Sequence, residues 1–235
     1  MALSRENPPR GHGGDVLSAR PWPSSSVNPC FVTTLYLSRH AQAHPLPDQP
    51  EPDWALSAVG EAQARGLVPV LQRLGIGRLY TSPYRRCRDT LAPFAAASGI
   101  ACLAHDGLRE RRIVPAWQRD FREVWRRSWE DFAYAFPGGE DSWTCRTRIT
   151  AAVTEIAARH PGETLALGSH GNAIGLLLHS FDGSFGETDA SALRTPEIMR
   201  IEERDGRLVW DRAFRAGDDF DRLATDFRQT PNVVA

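Results

Sequence analysis

Apolar residues recur along this chain in two rhythms that take turns. Residues 33–38 alternate as a strand, Leu35-Tyr36-Leu37-Ser38 forming its end, and the pattern stops at a charged pair, Arg39-His40. Residues 57–73 switch to helical spacing through Ala62, Leu67, Val70, Leu71 and on to Leu74, with Ser57 placed to cap the start. Further short strands near 77–81, 100–104 and 164–169 alternate with helices near 84–98, 143–159 and 172–181. Such alternation predicts an α/β fold, a three-layer sandwich with a mostly parallel central sheet and helices on both faces. It leaves the order of the strands open. Near the end, segments 197–203 and 207–213 flank Asp205-Gly206, a hairpin turn signal that adds antiparallel strands at one edge. The tail after Phe214, acidic around Asp218, Asp219 and Asp221, reads as a surface segment.

Two stretches break the rhythm. Residues 1–31 are rich in Pro, Gly, Ser and Arg without periodicity and are expected to be disordered, leaving one domain over 32–235. A second stretch near 113–137 reads as a Trp-rich helical insertion, with Trp117, Phe121, Trp125 and Trp129 four residues apart in a helical stripe. A helix packed on the core is the plainest reading. A wall over a ligand site and a homo-oligomer interface are the alternatives.

Composition narrows the field. At 235 residues, 41% hydrophobic and 24% charged, the chain can bury an ordinary core. Its formal charge of −1 gives no general attraction to nucleic acid or to an anionic membrane. Every one of the 28 basic residues is arginine, which excludes lysine Schiff-base chemistry and a Walker-type phosphate loop. Cys30, Cys87, Cys102 and Cys145 have neither disulfide-frame nor zinc-ligand spacing and read as reduced thiols. With no apolar run of membrane-spanning length and no signal-peptide core, a cytoplasmic protein is the expectation.

Candidate chemistry collects at strand ends, the edge where open α/β sheets bind ligands. His40 sits there beside Arg39; an imidazole can attack phosphorus, and a guanidinium can hold phosphoryl oxygens in a fork. Ser82-Pro83-Tyr84-Arg85-Arg86-Cys87-Arg88-Asp89-Thr90 puts more arginines at a strand-to-helix turn, where free N–H groups already favour an anion. The segment Leu167-Gly168-Ser169-His170-Gly171-Asn172 repeats the grammar of apolar strand, histidine and helix. Leu108-Arg109-Glu110 offers a carboxyl group, for which Asp106 and Glu140 compete. Two histidines, two or more arginines and a carboxylic acid are the parts for phosphoryl transfer through a phosphohistidine, and none of this calls for a metal or another cofactor.

In their order, these motifs, with Asp53-Trp54-Ala55-Leu56-Ser57-Ala58-Val59-Gly60-Glu61 and Gly138-Gly139-Glu140, resemble the histidine phosphatase superfamily over residues 33–210. The resemblance implies a phosphoglycerate mutase-like fold, His40 as nucleophile, Glu110 as acid, and Arg39, Arg86 and His170 around the phosphate. Gln42 and Asn172 are candidate substrate contacts, with turn roles as the alternative. The family's glycine after Arg-His is Ala41 here, and an asparagine that reaches the phosphate in many members is replaced at Leu46. Alanine is costly at that position only if the backbone there has positive φ. The expected partner is a phosphorylated small molecule and the expected reaction is hydrolysis of a phosphomonoester. A phosphoglycerate mutase-type transfer and a non-catalytic phospho-ligand-binding module are the rival readings.

Overall fold

A computed structural model describes residues 31–116 and 118–225; the expectation for residues 1–30 and the first member of the aromatic stripe, Trp117, lie outside the described residues. The first strand, β1 (Thr33–Arg39), is buried along almost its whole length. It is followed by α1 (Ala58–Arg73), β2 (Arg78–Thr81), α2 (Arg85–Ser98) and β3 (Cys102–Ala104). Then come α3 (Phe121–Glu130), α4 (Ser142–Ala158), β4 (Thr164–Ser169), α5 (Gly171–Phe181) and α6 (Glu187–Ala192). The hairpin β5 (Glu197–Arg204) and β6 (Arg207–Asp211) precedes a last helix, α7 (Asp218–Leu223).

Local chemistry fixes the helix ends. The Ser57 hydroxyl accepts from the Gly60 N–H and the Asp141 carboxylate from the Thr144 N–H, each satisfying a donor that a first helical turn leaves open. At the other end, α2 stops at Gly99, whose φ of 71° suits a residue without Cβ.

The six strands form one sheet in the order β3-β2-β4-β1-β5-β6. The first four run parallel, and β5 and β6 run antiparallel at the edge. Period-two alternation splits each strand between two cores. Leu35, Leu37, Tyr80, Leu165 and Leu167 face the layer of α4 and α5, whereas Tyr36, Leu79, Ala166 and Ile198 face α1, α2 and α7. The result is the three-layer α/β architecture that the periodicity predicts.

Two expectations need correction. The helical insertion expected near 113–137 is shorter than that range: α3 spans Phe121–Glu130 and carries Phe121, Trp125 and Trp129 of the stripe, with Trp129 packed in the core. The acidic tail is not wholly a surface segment: Phe220 is buried to 1% exposure, and Leu223 packs against Gly66 of α1. Three aspartates around Phe220 hid that one anchoring ring.

Candidate active site

Strand register builds the floor of the site. Arg39 lies opposite Ser169 across β1 and β4, and Thr81 opposite Gly168 across β2 and β4, so the next residues, His40, His170 and Ser82, emerge at one edge. Backbone bonds from His40 N–H to Ser169 O (3.1 Å) and from Ser82 N–H to Gly168 O (2.8 Å) carry the pairing just past the strand ends.

His40 is almost buried. Its Nδ1 lies 2.7 Å from the Ala41 carbonyl, which can only accept, so the proton sits on Nδ1 and Nε2 keeps its lone pair. Toward that lone pair Arg86 directs its Nε–H at 3.1 Å. Burial first, then the charges of Arg86 and Arg39, hold the His40 pKa well below the ordinary imidazole value. His170, wholly buried, lies edge-on to His40 with ring centroids 5.2 Å apart, and its Nε2 shares a 2.7 Å hydrogen bond with the Ser82 hydroxyl. Burial and then Arg86 depress its pKa in the same direction. Both rings are therefore neutral.

Two arginines supply the positive charge. Arg39 donates to the Leu193 carbonyl, and its guanidinium passes so close to Gly171 that a Cβ there would meet Cζ at 3.0 Å. Burial lowers its pKa to about 10, with Glu110 opposing the shift. Arg86 is 3% exposed and lies between the rings of Tyr84 and Trp54, its Cζ 5.2 and 5.6 Å from their centroids. Its neighbours differ: Arg85 pairs with Asp89 on the exposed face, and Arg88 is exposed.

Glu110 is held at the start of α5. Oε1 accepts from the Arg111 and Ala173 N–H groups at 2.8 and 3.0 Å, and Oε2 from the Asn172 N–H and side-chain amide at 3.3 and 3.4 Å. The loop carrying Glu110 is anchored by Arg148, which donates to the carbonyls of Gly107 and Arg109 at 3.0 Å and is itself oriented by the Glu140 carboxylate at 2.7 and 2.9 Å. Asp106, by contrast, is exposed and pairs with Arg109. Of the competing carboxyl groups, Glu140 thus acts on the loop, whereas Glu110 is held by the first turn of α5, which follows His170 in the chain.

Ala41 carries no strain, because among the described residues the one non-glycine with positive φ is Asp205. Its N–H donates to Thr90 Oγ1 at 2.9 Å. Gln42 is drawn to α1: its Oε1 accepts from the Ser57 hydroxyl at 2.6 Å, and its backbone lies so near Gly60 that a Cβ there would fall 2.0 Å from the Gln42 carbonyl. These bonds give Gln42 a role in fixing the loop after His40. Asn172 stays beside Glu110 and accepts a hydrogen bond from the indole N–H of Trp125, which ties α3 to the start of α5, while Trp129 packs α3 on the core. His105, His160 and His179 have structural partners elsewhere.

Sequence reasoning missed Glu51. It sits on a short 3-10 turn, Glu51–Asp53, and reaches Arg86 with both its carbonyl (2.9 Å, from Nη1) and its carboxylate (2.7 Å, from Nη2). Burial raises its pKa, with Arg86 opposing. No motif marks the position; an acidic residue in a Pro-rich loop carries no signal of what it will face.

A buried neutral histidine ringed by arginines at a parallel-sheet edge defines a phosphoryl-handling class, and the comparisons agree. A family model for the histidine phosphatase superfamily (branch 1) matches residues 35–214, and the chain belongs to that superfamily. Among curated relatives, a probable phosphoglycerate mutase of Enterobacter sp. (strain 638) is 29% identical over 181 residues, covering 72% of this chain and 84% of the relative. An uncharacterised protein of Mycobacterium tuberculosis is 30% identical over 155 residues, covering 59% of this chain and 73% of the relative. Among solved structures, a mycobacterial glucosyl-3-phosphoglycerate phosphatase with inorganic phosphate superposes with a TM-score of 0.62 at 20% identity, covering 80% of this chain and 98% of that one. A phosphoglycerate mutase from Bacillus anthracis gives 0.65 at 19% identity, covering 83% and 96%. At those identities the structural likeness speaks to fold alone.

Proposed function

We propose that the protein hydrolyses phosphomonoesters of small molecules through a phosphohistidine at His40. The observation that carries this reading is the unprotonated Nε2 of His40, fixed by the Nδ1–H bond to Ala41 O, which accepts the Nε–H of Arg86 at 3.1 Å where a phosphoryl group would take over that donor. In the first step Nε2 forms a bond to phosphorus as the ester P–O bond breaks. Arg39, Arg86 and His170 gather the three phosphoryl oxygens; donors set in place before reaction, in a site without bulk water, gain most as charge shifts. Glu110, protonated for this step, gives its proton to the departing alkoxide; Oε2, with the longer hydrogen bonds, is the oxygen suited to the transfer. In the second step water attacks phosphorus, gives a proton to Glu110, and the P–N bond breaks to release phosphate and restore His40.

A mutase reading has in its favour the names of several curated relatives, the Enterobacter protein among them. Incubation with 3-phosphoglycerate separates the two. Free phosphate matching the substrate consumed is the expected product; an isomerised phosphoglycerate with little free phosphate overturns hydrolysis in favour of transfer.

A further inference from the structure

The phosphoryl pocket already contains an anion of its own. Arg86 spends Nε on His40, Nη1 on the Glu51 carbonyl and Nη2 on the Glu51 carboxylate. The carboxylate thus lies on the same guanidinium edge that a phosphoryl group attached to His40 would use, and a carboxylate presents paired oxygens to a guanidinium much as phosphate does. His40 and Arg86 are 8% and 3% exposed, so little of the nucleophile is open to solvent while this contact is in place. Counting charges leads to the same point. On Arg86 one positive charge already faces one carboxylate, and a phosphate dianion entering without displacing Glu51 would meet that carboxylate across a single guanidinium. We propose that Glu51 is a specificity-determining internal anion, which competes with the substrate's phosphoryl group for Arg86 and must move aside for it to bind.

The surroundings of Glu51 suit displacement. Its side chain is partly exposed, so it has solvent to swing into, and its turn Glu51–Asp53 is held at Trp54, whose indole N–H donates to the carbonyls of Leu46 and Gln49 at 3.2 Å. Arg86, Glu110 and Tyr84 are the ionisable groups around it; burial and Glu110 raise its pKa while Arg86 lowers it, which makes the anion costly to keep there. Once displaced, Glu51 remains at the mouth beside Tyr84 and Trp54. Phosphate esters whose alcohol part is neutral or cationic then approach more easily than those bearing a carboxylate.

This inference rests on the phosphatase reading only for the position of the phosphoryl group, and binding can be measured without turnover. Inorganic phosphate is titrated calorimetrically into wild type, Glu51→Gln and Glu51→Ala, with folding checked by circular dichroism. Removing a charge-assisted competitor is expected to tighten phosphate binding by about tenfold or more in both variants. The preference for phosphoethanolamine over 3-phosphoglycerate, read as a ratio of kcat/KM, should fall in both. If wild type binds phosphate and the variants bind it equally or more weakly, Glu51 instead supports Arg86 and the proposal is overturned. If none of the three binds phosphate, the pocket assignment fails and takes the proposal with it.

Discussion

The floor and the roof of the site are built by different means. On the floor, Arg39, His40, Ser82, Ser169 and His170 are placed by the register of three parallel strands and by backbone bonds continuing one residue beyond them. In the roof, Glu51, Trp54 and Trp125 are placed by side-chain contacts between distant segments: Glu51 with Arg86, Trp125 with Asn172, and below them Arg111 with Ser128. A sheet edge cannot shift one residue without turning every side chain to the wrong face. A loop held by a few polar contacts can. On the proposed function the chemistry falls to the rigid part and the choice of substrate to the adaptable one, so substitutions in the two regions should fail in different ways.

The largest effect is expected on the floor. His40→Ala should reduce turnover to background with the fold retained, because the ring faces the pocket edge instead of filling a core; residual phosphatase activity in purified protein would remove His40 as nucleophile. His170→Ala should slow phosphoryl transfer while leaving the nucleophile in place, as read by single-turnover labelling.

Next in size is Glu110→Gln, where general acid catalysis contributes about 10²–10⁴. The loss should be much greater for alkyl than for aryl phosphates, whose leaving groups need little protonation. Equal losses on both would reduce Glu110 to a positioning role.

Arg86→Lys keeps charge but loses the planar fork, and a fall of about 10²–10³ in kcat/KM is expected. Arg85→Lys and Arg88→Lys, on the exposed face, should stay near wild type. A crippled Arg85→Lys beside a normal Arg86→Lys would contradict the packing of Arg86 against His40.

In the roof, Trp125→Phe removes one hydrogen bond to Asn172 and should cost only about fivefold, chiefly in KM. A loss as large as that of Arg86→Lys would erase the distinction between the two regions.

Protonation gives the mildest test. His40 and His170 have pKa values depressed below 6.5 in the folded protein, so below about pH 6.5 the unfolded chain takes up protons that the native state does not. Stability from this pair is present above pH 6.5 and is lost as pH falls toward the native values. Urea midpoints should therefore drop between pH 7 and pH 5 in wild type and less in His170→Ala.

The sequence revealed the floor far better than the roof, for a physical reason. Strand periodicity ending in Arg39-His40 and in Ser169-His170 is local, and it locates both histidines before any pairing is known. Asp205-Gly206 likewise marked the β5–β6 turn, with Asp205 at φ 51° and Gly206 at φ 78°. Glu51, Arg148 and the anchoring ring of Phe220 depend on contacts across 35, 38 and more residues, which no local spacing records. Gln42 shows the limit from the other side: its place two residues after His40 suggested a substrate contact, but its side chain is bonded to Ser57 beside the close approach of Gly60.

The central claim is a covalent bond between His40 Nε2 and phosphorus, and rapid quenching with a phosphate-labelled aryl monoester tests it directly. A phosphohistidine at His40 requires a burst of acid-labile, base-stable label that maps to the peptide carrying His40 and is absent in His40→Ala. Turnover without any protein-bound label in wild type, or label that persists in His40→Ala, would contradict it.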